Sequence, residues 1–193
     1  APLLASVFPG GFSPEGITLT AEYVSCAPEG FQLNIAPSGI RISCGDGAGF
    51  FYALGVLVQL AAQAGGTLPC AEIADEPVLS VRGIMLDIGR DKIPSMETLR
   101  RLIDLFASMR INHLQMYMEG FSFDYEDFHY LFTNETPMTP AEFRELSLYA
   151  RAHFIDLVPN QNVLGHMEKW LEKPQFRSLA ECEDGYIFEN LFW

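Results

Sequence analysis

Basic residues are scarce in this chain. Twelve lysines and arginines stand against 25 aspartates and glutamates, so the formal net charge is −13 over 193 residues. Proteins that bind nucleic acid neutralise phosphates with a basic surface, and anionic membranes attract basic segments in the same way. The composition therefore argues against both kinds of partner, and we expect no nucleic acid and no membrane.

Long apolar runs are also missing. The most apolar stretch, residues 50–64, contains Tyr52 and Gln59 and is interrupted by Gly55. A transmembrane helix needs about 20 consecutive, predominantly apolar residues. No basic segment followed by an apolar core opens the chain, so no signal peptide is predicted. We expect a cytoplasmic protein, with a secreted mature form as the alternative.

Cysteines are few and lack the spacing of metal ligands. Three of them lie in strand-like or linker segments and are interpreted as small apolar core residues; a disulfide between Cys26 and Cys44 is the alternative. Neither a metal nor a cofactor is expected. The four cysteines are Cys26, Cys44, Cys70 and Cys182.

The apolar content, in contrast, is high enough for a packed core: 49% of the residues are hydrophobic and 19% are charged. Residues 17–24, 31–35 and 40–44 alternate apolar and polar side chains, which predicts half-buried strands. Pro37-Ser38-Gly39 predicts a hairpin turn between the last two. Residues 48–64 predict a helix that ends at Gly65-Gly66. We expect a small α+β domain over residues 1–77, with Asp75-Glu76-Pro77 as the linker.

The second part of the chain, residues 78–193, has a different pattern. Strands are predicted at 81–89, 111–118 and 154–158. Helices are predicted between them, one capped by Ser95 and one beginning at the capping box Thr139-Pro140-Ala141-Glu142. Strands that alternate with helices of this length indicate βα units and a parallel sheet. The fold class is therefore α/β.

Polar residues follow each predicted strand. In parallel α/β barrels, ligands bind at the carboxyl ends of the strands, and the guanidinium of Arg90 offers several donors to a polar ligand. The other interpretation of Arg90 is a surface ion pair with Asp87 or Asp91. The remaining residues of this kind are Glu119, Gln161, Asn162 and His166.

Three motifs together resemble glycoside hydrolase family 20, the β-N-acetylhexosaminidases. They are residues 48–60 (AGFFYALGVLVQL), residues 73–90 with Arg82-Gly83, Leu86-Asp87 and Arg90, and residues 158–166 (VPNQNVLGH). The resemblance covers about residues 15–175. It implies an accessory α+β domain followed by a TIM barrel, of which about three of the eight βα units fit in this chain.

The resemblance also implies an activity and a set of roles. The family removes terminal β-linked N-acetylglucosamine or N-acetylgalactosamine from glycans by a retaining reaction in which the substrate's own acetamido group attacks. Arg90, Glu119, Gln161 and Asn162 would bind the sugar, whereas His166 and Asp87 would support the groups that touch it. The catalytic Asp-Glu pair belongs after the fourth strand, beyond residue 193. No catalytic residue is therefore assigned here, and the chain alone is expected to be inactive.

Two departures from the family pattern affect these roles. The second strand ends in residues 115–120 (QMYMEG) instead of His-x-His-x-x-Asp, a variant that resembles a bacterial branch with Tyr-x-Glu. Leu164-Gly165-His166 replaces Pro-Gly-His.

The acid pairs Glu126-Asp127 and Glu183-Asp184 are interpreted as solvated loop residues.

Other functions are compatible with the same sequence. One alternative is a non-catalytic sugar-binding or interaction protein with the first part of this architecture, and another is an unrelated TIM-barrel enzyme. An incomplete barrel exposes unpaired strand edges. We therefore expect self-association, with the apolar side chains Leu114 and Met116 partly uncovered.

Overall fold

The computed structural model describes residues 16–65, 67–90, 92–131 and 136–181. The chain divides into two compact units. The first runs to Arg82 and includes Leu105–Arg110, and the second contains Gly83–Asp104 and the residues from Ile111 onward. None of the helices within these ranges is long and apolar enough to cross a membrane.

The first unit contains a four-stranded sheet in the order β1-β3-β2-β4. Its strands are β1 (Leu19–Tyr23), β2 (Phe31–Ala36), β3 (Gly39–Cys44) and β4 (Ala71–Asp75). Strand β1 is parallel to β3, whereas β2 is antiparallel to both β3 and β4. The predicted hairpin is present, since Ala36 pairs with Gly39 across the turn. The linker prediction was wrong at Asp75, which is the last residue of β4.

Helix α1 (Gly47–Gln63) follows β3 and supplies the other half of this core. It begins at Asp46, whose side chain accepts a hydrogen bond of 2.8 Å from the Gly49 backbone nitrogen. Its apolar residues pack with the inner face of β2 and β3. Strand β1 is exposed along its whole length, so the prediction of a half-buried strand was wrong there. The buried core residues include Leu33, Ile42, Tyr52, Ala53 and Leu57.

The second unit contains three parallel strands in chain order: β5 (Gly83–Asp87), β6 (His113–Met118) and β7 (Asp156–Gln161). Helix α2 (Met96–Ser108) connects β5 to β6, and α3 (Pro140–Ala152) connects β6 to β7. This alternation of strand and helix confirms the predicted βα units. Strand β7 begins later than predicted and continues to Gln161.

Both predicted helix starts are present. The Ser95 hydroxyl accepts a hydrogen bond of 3.3 Å from the Thr98 backbone nitrogen. The capping box before α3 is complete: Thr139 Oγ1 accepts from the Glu142 backbone nitrogen, and the Glu142 carboxylate accepts from the Thr139 backbone nitrogen. These bonds satisfy backbone donors that have no partner inside the helix.

The two faces of the second sheet differ in character. Leu114, Met116 and Met118 on β6 are buried, so the expectation that Leu114 and Met116 are uncovered was wrong. Successive side chains of a strand point to opposite faces, which places Gln115 and Tyr117 on the other side of the sheet. On β5, Met85 is 60% exposed, and Val81 before the strand is also exposed.

An aromatic cluster forms where Phe121 and Phe128, which follow β6, contact Trp170, which follows β7. Trp170, in the short helix α4 (Glu168–Leu171), is 7% exposed and donates a hydrogen bond of 2.9 Å from Nε1 to the Gly120 carbonyl. Its ring contacts Phe121 and Phe128 edge to face. Trp170 thus packs in a core, whereas Trp193 lies outside the described residues. Two 3₁₀ helices, Glu126–Leu131 and Arg177–Leu179, complete this region.

Candidate functional site

The ends of the three parallel strands bring together three residues that the sequence singled out. Arg90 follows β5, Glu119 follows β6, and His166 follows β7. Arg90 Nε lies 3.4 Å from Glu119 Oε2, and His166 Nδ1 lies 3.5 Å from Glu119 Oε1. The three residues therefore meet at one end of the sheet, around a single carboxylate.

Glu119 is the centre of this arrangement. Its side chain is 21% exposed. Oxygen Oε2 accepts a hydrogen bond of 3.0 Å from the Tyr117 hydroxyl. The Glu119 backbone nitrogen donates to the hydroxyl of Ser122, a buried residue, at 3.2 Å. Tyr117 on the strand therefore holds the carboxylate, and Ser122 in the loop holds the backbone of the same residue. One carboxylate oxygen faces Arg90 and Tyr117, and the other faces His166.

Of the interactions considered for Arg90 from the sequence, the structure contains the ion pair with Asp87. Arg90 forms this pair at 3.5 Å as well as the pair with Glu119, yet its side chain remains 58% exposed. Hydrogen bonding with the side chains of Tyr117 and then Glu119, followed by the negative charge of Asp87, raises the pKa of Arg90. Asp91, the other predicted partner, lies outside the described residues. Arg90 is thus a fixed cation that still presents donors to solvent.

Asp87 ends β5 and shapes the turn that carries Arg90. Its Oδ1 accepts a hydrogen bond of 2.9 Å from the Gly89 backbone nitrogen, while Oδ2 faces the Arg90 guanidinium. Asp87 therefore contacts Arg90 and the backbone of the same turn. Its functional role stays a prediction.

The two polar residues at the end of β7 point to different surroundings. Asn162 Nδ2 donates a hydrogen bond of 2.7 Å to the Tyr117 hydroxyl, which connects Asn162 to the Glu119 site. Gln161 Oε1 instead accepts a hydrogen bond of 2.9 Å from Tyr125. Among the described contacts, Gln161 touches none of the three converging residues. The sugar-binding role of both residues remains a prediction.

A cavity of about 290 Å³ opens beside Glu119, and its polar lining is Arg90, Lys92, Glu119, Ser122, Thr136 and Lys169. A second, apolar cavity of about 450 Å³ is lined by residues of the aromatic cluster, together with Gln161 and Asn162. Tyr117, Ser122 and Lys169 were not predicted as site residues from the sequence. Tyr117 was visible in the Tyr-x-Glu pattern, whereas no sequence signal marked the other two.

Other candidate groups do not assemble into sites. In the part of the chain that the structure describes, no three His, Cys, Asp or Glu side chains are placed to hold a metal ion. Cys26, Cys44 and Cys70 are free thiols, so the disulfide alternative is wrong, and burial raises the pKa of Cys44. Glu126 and Asp127 are exposed. Cys182 and Glu183-Asp184 lie outside the described residues.

Alternating parallel strands and helices, with charged side chains gathered at the carboxyl ends of the strands, define the first part of a parallel α/β barrel. Comparison with known families identifies which one. The chain belongs to glycosyl hydrolase family 20: the profile for domain 2 of that family matches residues 9–76, and the profile for its catalytic domain matches residues 80–185.

Two curated relatives illustrate the similarity. A beta-hexosaminidase of Akkermansia muciniphila is 28% identical over 158 residues, which cover 72% of this chain and 32% of that protein. A lacto-N-biosidase of Bifidobacterium bifidum is 27% identical over 175 residues, which cover 89% of this chain and 16% of that protein. The chain thus spans a third or less of the length of these relatives.

Solved structures agree with the fold. The beta-N-acetylhexosaminidase from Bacteroides fragilis superposes with a TM-score of 0.72 at 25% identity, covering 80% of this chain and 34% of that one. A family 20 exo beta-N-acetylglucosaminidase from Vibrio harveyi, solved with N-acetylglucosamine, gives a TM-score of 0.76 at 22% identity, covering 89% of this chain and 31% of that one. At that identity, the second match supports the fold alone.

Proposed function

We propose that this chain is the N-terminal part of an exo-acting β-N-acetylhexosaminidase. The longer enzyme would remove terminal β-linked N-acetylglucosamine or N-acetylgalactosamine from a glycan, with retention of configuration. The observation that supports this most is the convergence of Arg90 and His166 on the Glu119 carboxylate at the strand ends. The names of the curated relatives point to the same substrate class.

In this proposal the residues present bind and orient the sugar. Arg90 donates hydrogen bonds to sugar hydroxyls, because its guanidinium is exposed and carries more donors than its two carboxylate partners use. Glu119 accepts a hydrogen bond from a neighbouring hydroxyl of the sugar. His166 contacts Glu119 on the side away from Tyr117 and supports the catalytic carboxylates.

The chemical step needs two further carboxyl groups. The acetamido oxygen of the substrate attacks the anomeric carbon and forms a cyclic intermediate as the glycosidic bond breaks. An aspartate orients the acetamido group, and a glutamate gives its proton to the leaving oxygen and then activates water. We propose that this Asp-Glu pair is supplied by polypeptide that follows residue 193 in the longer enzyme.

The test compares two proteins expressed from the same reading frame: the 193-residue chain and the complete encoded polypeptide. The substrate is a p-nitrophenyl β-N-acetylhexosaminide. We expect turnover by the complete polypeptide and none by the shorter chain. Turnover by the 193-residue protein would contradict the placement of the acid pair. Binding of N-acetylglucosamine without turnover by the complete polypeptide would favour the non-catalytic alternative.

We also propose that the 193-residue protein self-associates when it is prepared alone. Among the described strands, β5 and β7 each pair with β6 only, so each leaves one edge of backbone groups without a strand partner. A stable association would bury more than about 1,000 Å². Light scattering that gives a monomer mass for the folded protein would contradict this.

A further inference from the structure

We infer that Tyr117 is a positioning residue of the sugar site, which fixes the orientation of Glu119 and Arg90 through its hydroxyl and its ring. This inference rests on the proposed function, because it concerns the same site. Tyr117 lies on β6, two residues before Glu119, and contacts residues that follow all three parallel strands.

The hydrogen bonds around the Tyr117 hydroxyl have a defined direction. The Asn162 amide nitrogen can only donate, so the hydroxyl oxygen accepts the bond of 2.7 Å that joins them. An ionised carboxylate can only accept. The hydroxyl must therefore direct its own proton to Glu119 Oε2, 3.0 Å away.

This direction fixes which Glu119 oxygen remains for other partners. Oε2 is shared by the Tyr117 hydroxyl and the Arg90 Nε. Oε1 then faces His166. Without the hydroxyl, the carboxylate loses a donor that holds its rotation, and a half-buried acceptor loses a charge-assisted hydrogen bond.

The ring of Tyr117 acts on Arg90. The guanidinium carbon lies 5.6 Å from the ring centre, within the range of cation–π attraction. An exposed arginine side chain loses considerable rotational freedom when it is held in one place. The ring face and the Glu119 carboxylate together restrict the guanidinium, so Arg90 is already directed toward the cavity before a sugar binds.

The experiment uses the complete encoded polypeptide and the variant Tyr117→Phe, which keeps the ring and removes the hydroxyl. We expect KM for the p-nitrophenyl substrate to rise about tenfold, with a smaller change in kcat. Tyr149→Phe is the matched control. It also removes a tyrosine hydroxyl that donates to a carboxylate, here Asp104 at 2.7 Å between α2 and α3. The control should keep the wild-type KM.

A double-mutant cycle distinguishes positioning from a general structural effect. Tyr117→Phe and Glu119→Gln should be clearly non-additive in KM, because the hydroxyl acts through that carboxylate. Asn162→Ala removes the amide that donates to the Tyr117 hydroxyl, and it should reproduce part of the rise in KM. This variant serves as the second test if Tyr117→Phe folds poorly, which thermal unfolding would show.

The outcomes separate the two proposals. A wild-type KM in folded Tyr117→Phe, or additive effects in the cycle, would overturn the inference while hydrolysis by the wild type sustains the proposed function. If the wild type binds N-acetylglucosamine without hydrolysing the substrate, the same comparison is made on the Kd for that sugar. If the wild type neither hydrolyses nor binds it, both proposals are wrong.

Discussion

Gly89 and Glu119 approach each other so closely that no side chain fits between them. A Cβ atom at Gly89 would lie 2.6 Å from the Glu119 Cβ and closer still to its backbone nitrogen. The turn after β5 therefore packs directly on the chain that leaves β6. This contact places Arg90, the next residue, beside the Glu119 carboxylate, so the glycine contributes to the site without any functional group.

We expect Gly89→Ala to destabilise the protein by about 1–3 kcal/mol, because either the turn or the start of the Glu119 loop must move. It should also weaken sugar binding in the complete polypeptide. The control is Gly55→Ala in α1, where no atom beyond the neighbouring residues and the nearby helix backbone lies within 4 Å of the added carbon. That change should be neutral or stabilising by up to about 1 kcal/mol, since alanine is the better helix former. Equal urea unfolding curves for the two variants would contradict this prediction.

The elements with local signals could be predicted from the sequence. The capping box at Thr139, the hairpin turn before Gly39 and the strand–helix alternation each depend on residues close together in the chain. Convergence of Arg90, Glu119 and His166 could also be expected, because the carboxyl ends of parallel strands lie at the same edge of a sheet.

The features that could not be predicted, in β4, β7 and Tyr117, depend on partners that are distant in the chain. Strand β4 is short and only weakly apolar, and it forms by pairing with β2, far away in the chain. The length of β7 was underestimated because it contains Pro159, and proline is tolerated in a strand mainly at a sheet edge. Tyr117 belongs to the Tyr-x-Glu pattern, but that pattern gave it no role of its own, since tyrosine is common in strands. Its role becomes visible only through contacts with other strands.

Loss of the helix cap should have a measurable cost. Thr139→Ala removes the side chain that accepts from the Glu142 backbone nitrogen and donates to the Glu142 carboxylate. We expect the free energy of unfolding to fall by about 1 kcal/mol, as for other N-cap replacements. Thr139→Ser keeps both hydrogen bonds and is the control. Urea unfolding monitored by circular dichroism would measure the difference, and identical midpoints for the alanine and serine variants would show that the cap is unimportant.

Stability at high pH should depend on Tyr149. Burial, followed by the hydrogen bond to Asp104, raises the pKa of Tyr149 from 10.0 to about 12. A raised pKa means that the unfolded chain loses this proton at lower pH than the folded protein does. The contribution of Tyr149 is therefore complete below pH 10 and is lost as the pH rises to about 12.

We expect the free energy of unfolding of the wild type to fall more steeply over that pH range than that of Tyr149→Phe. Urea unfolding of both proteins at several pH values would measure this. Other tyrosines and the lysines titrate in both proteins, so the difference between the two slopes isolates Tyr149. Parallel slopes would show that its pKa is the same in the folded and unfolded states.

Arg90 gives the most direct test of the sugar site. In the complete polypeptide, Arg90→Ala should lower kcat/KM for the p-nitrophenyl substrate by more than about tenfold, equivalent to roughly 1.4 kcal/mol of transition-state binding. The control is Arg101→Ala. Arg101 is also an exposed arginine with a carboxylate partner, Glu97 at 2.7 Å, but it lies on α2 away from the strand ends. Exposed pairs of this kind contribute at most about 1 kcal/mol to stability, so both variants should remain folded. A kcat/KM for Arg90→Ala equal to that of Arg101→Ala would reduce Arg90 to a surface ion pair with Asp87 and Glu119, and the proposed site would lose its principal donor.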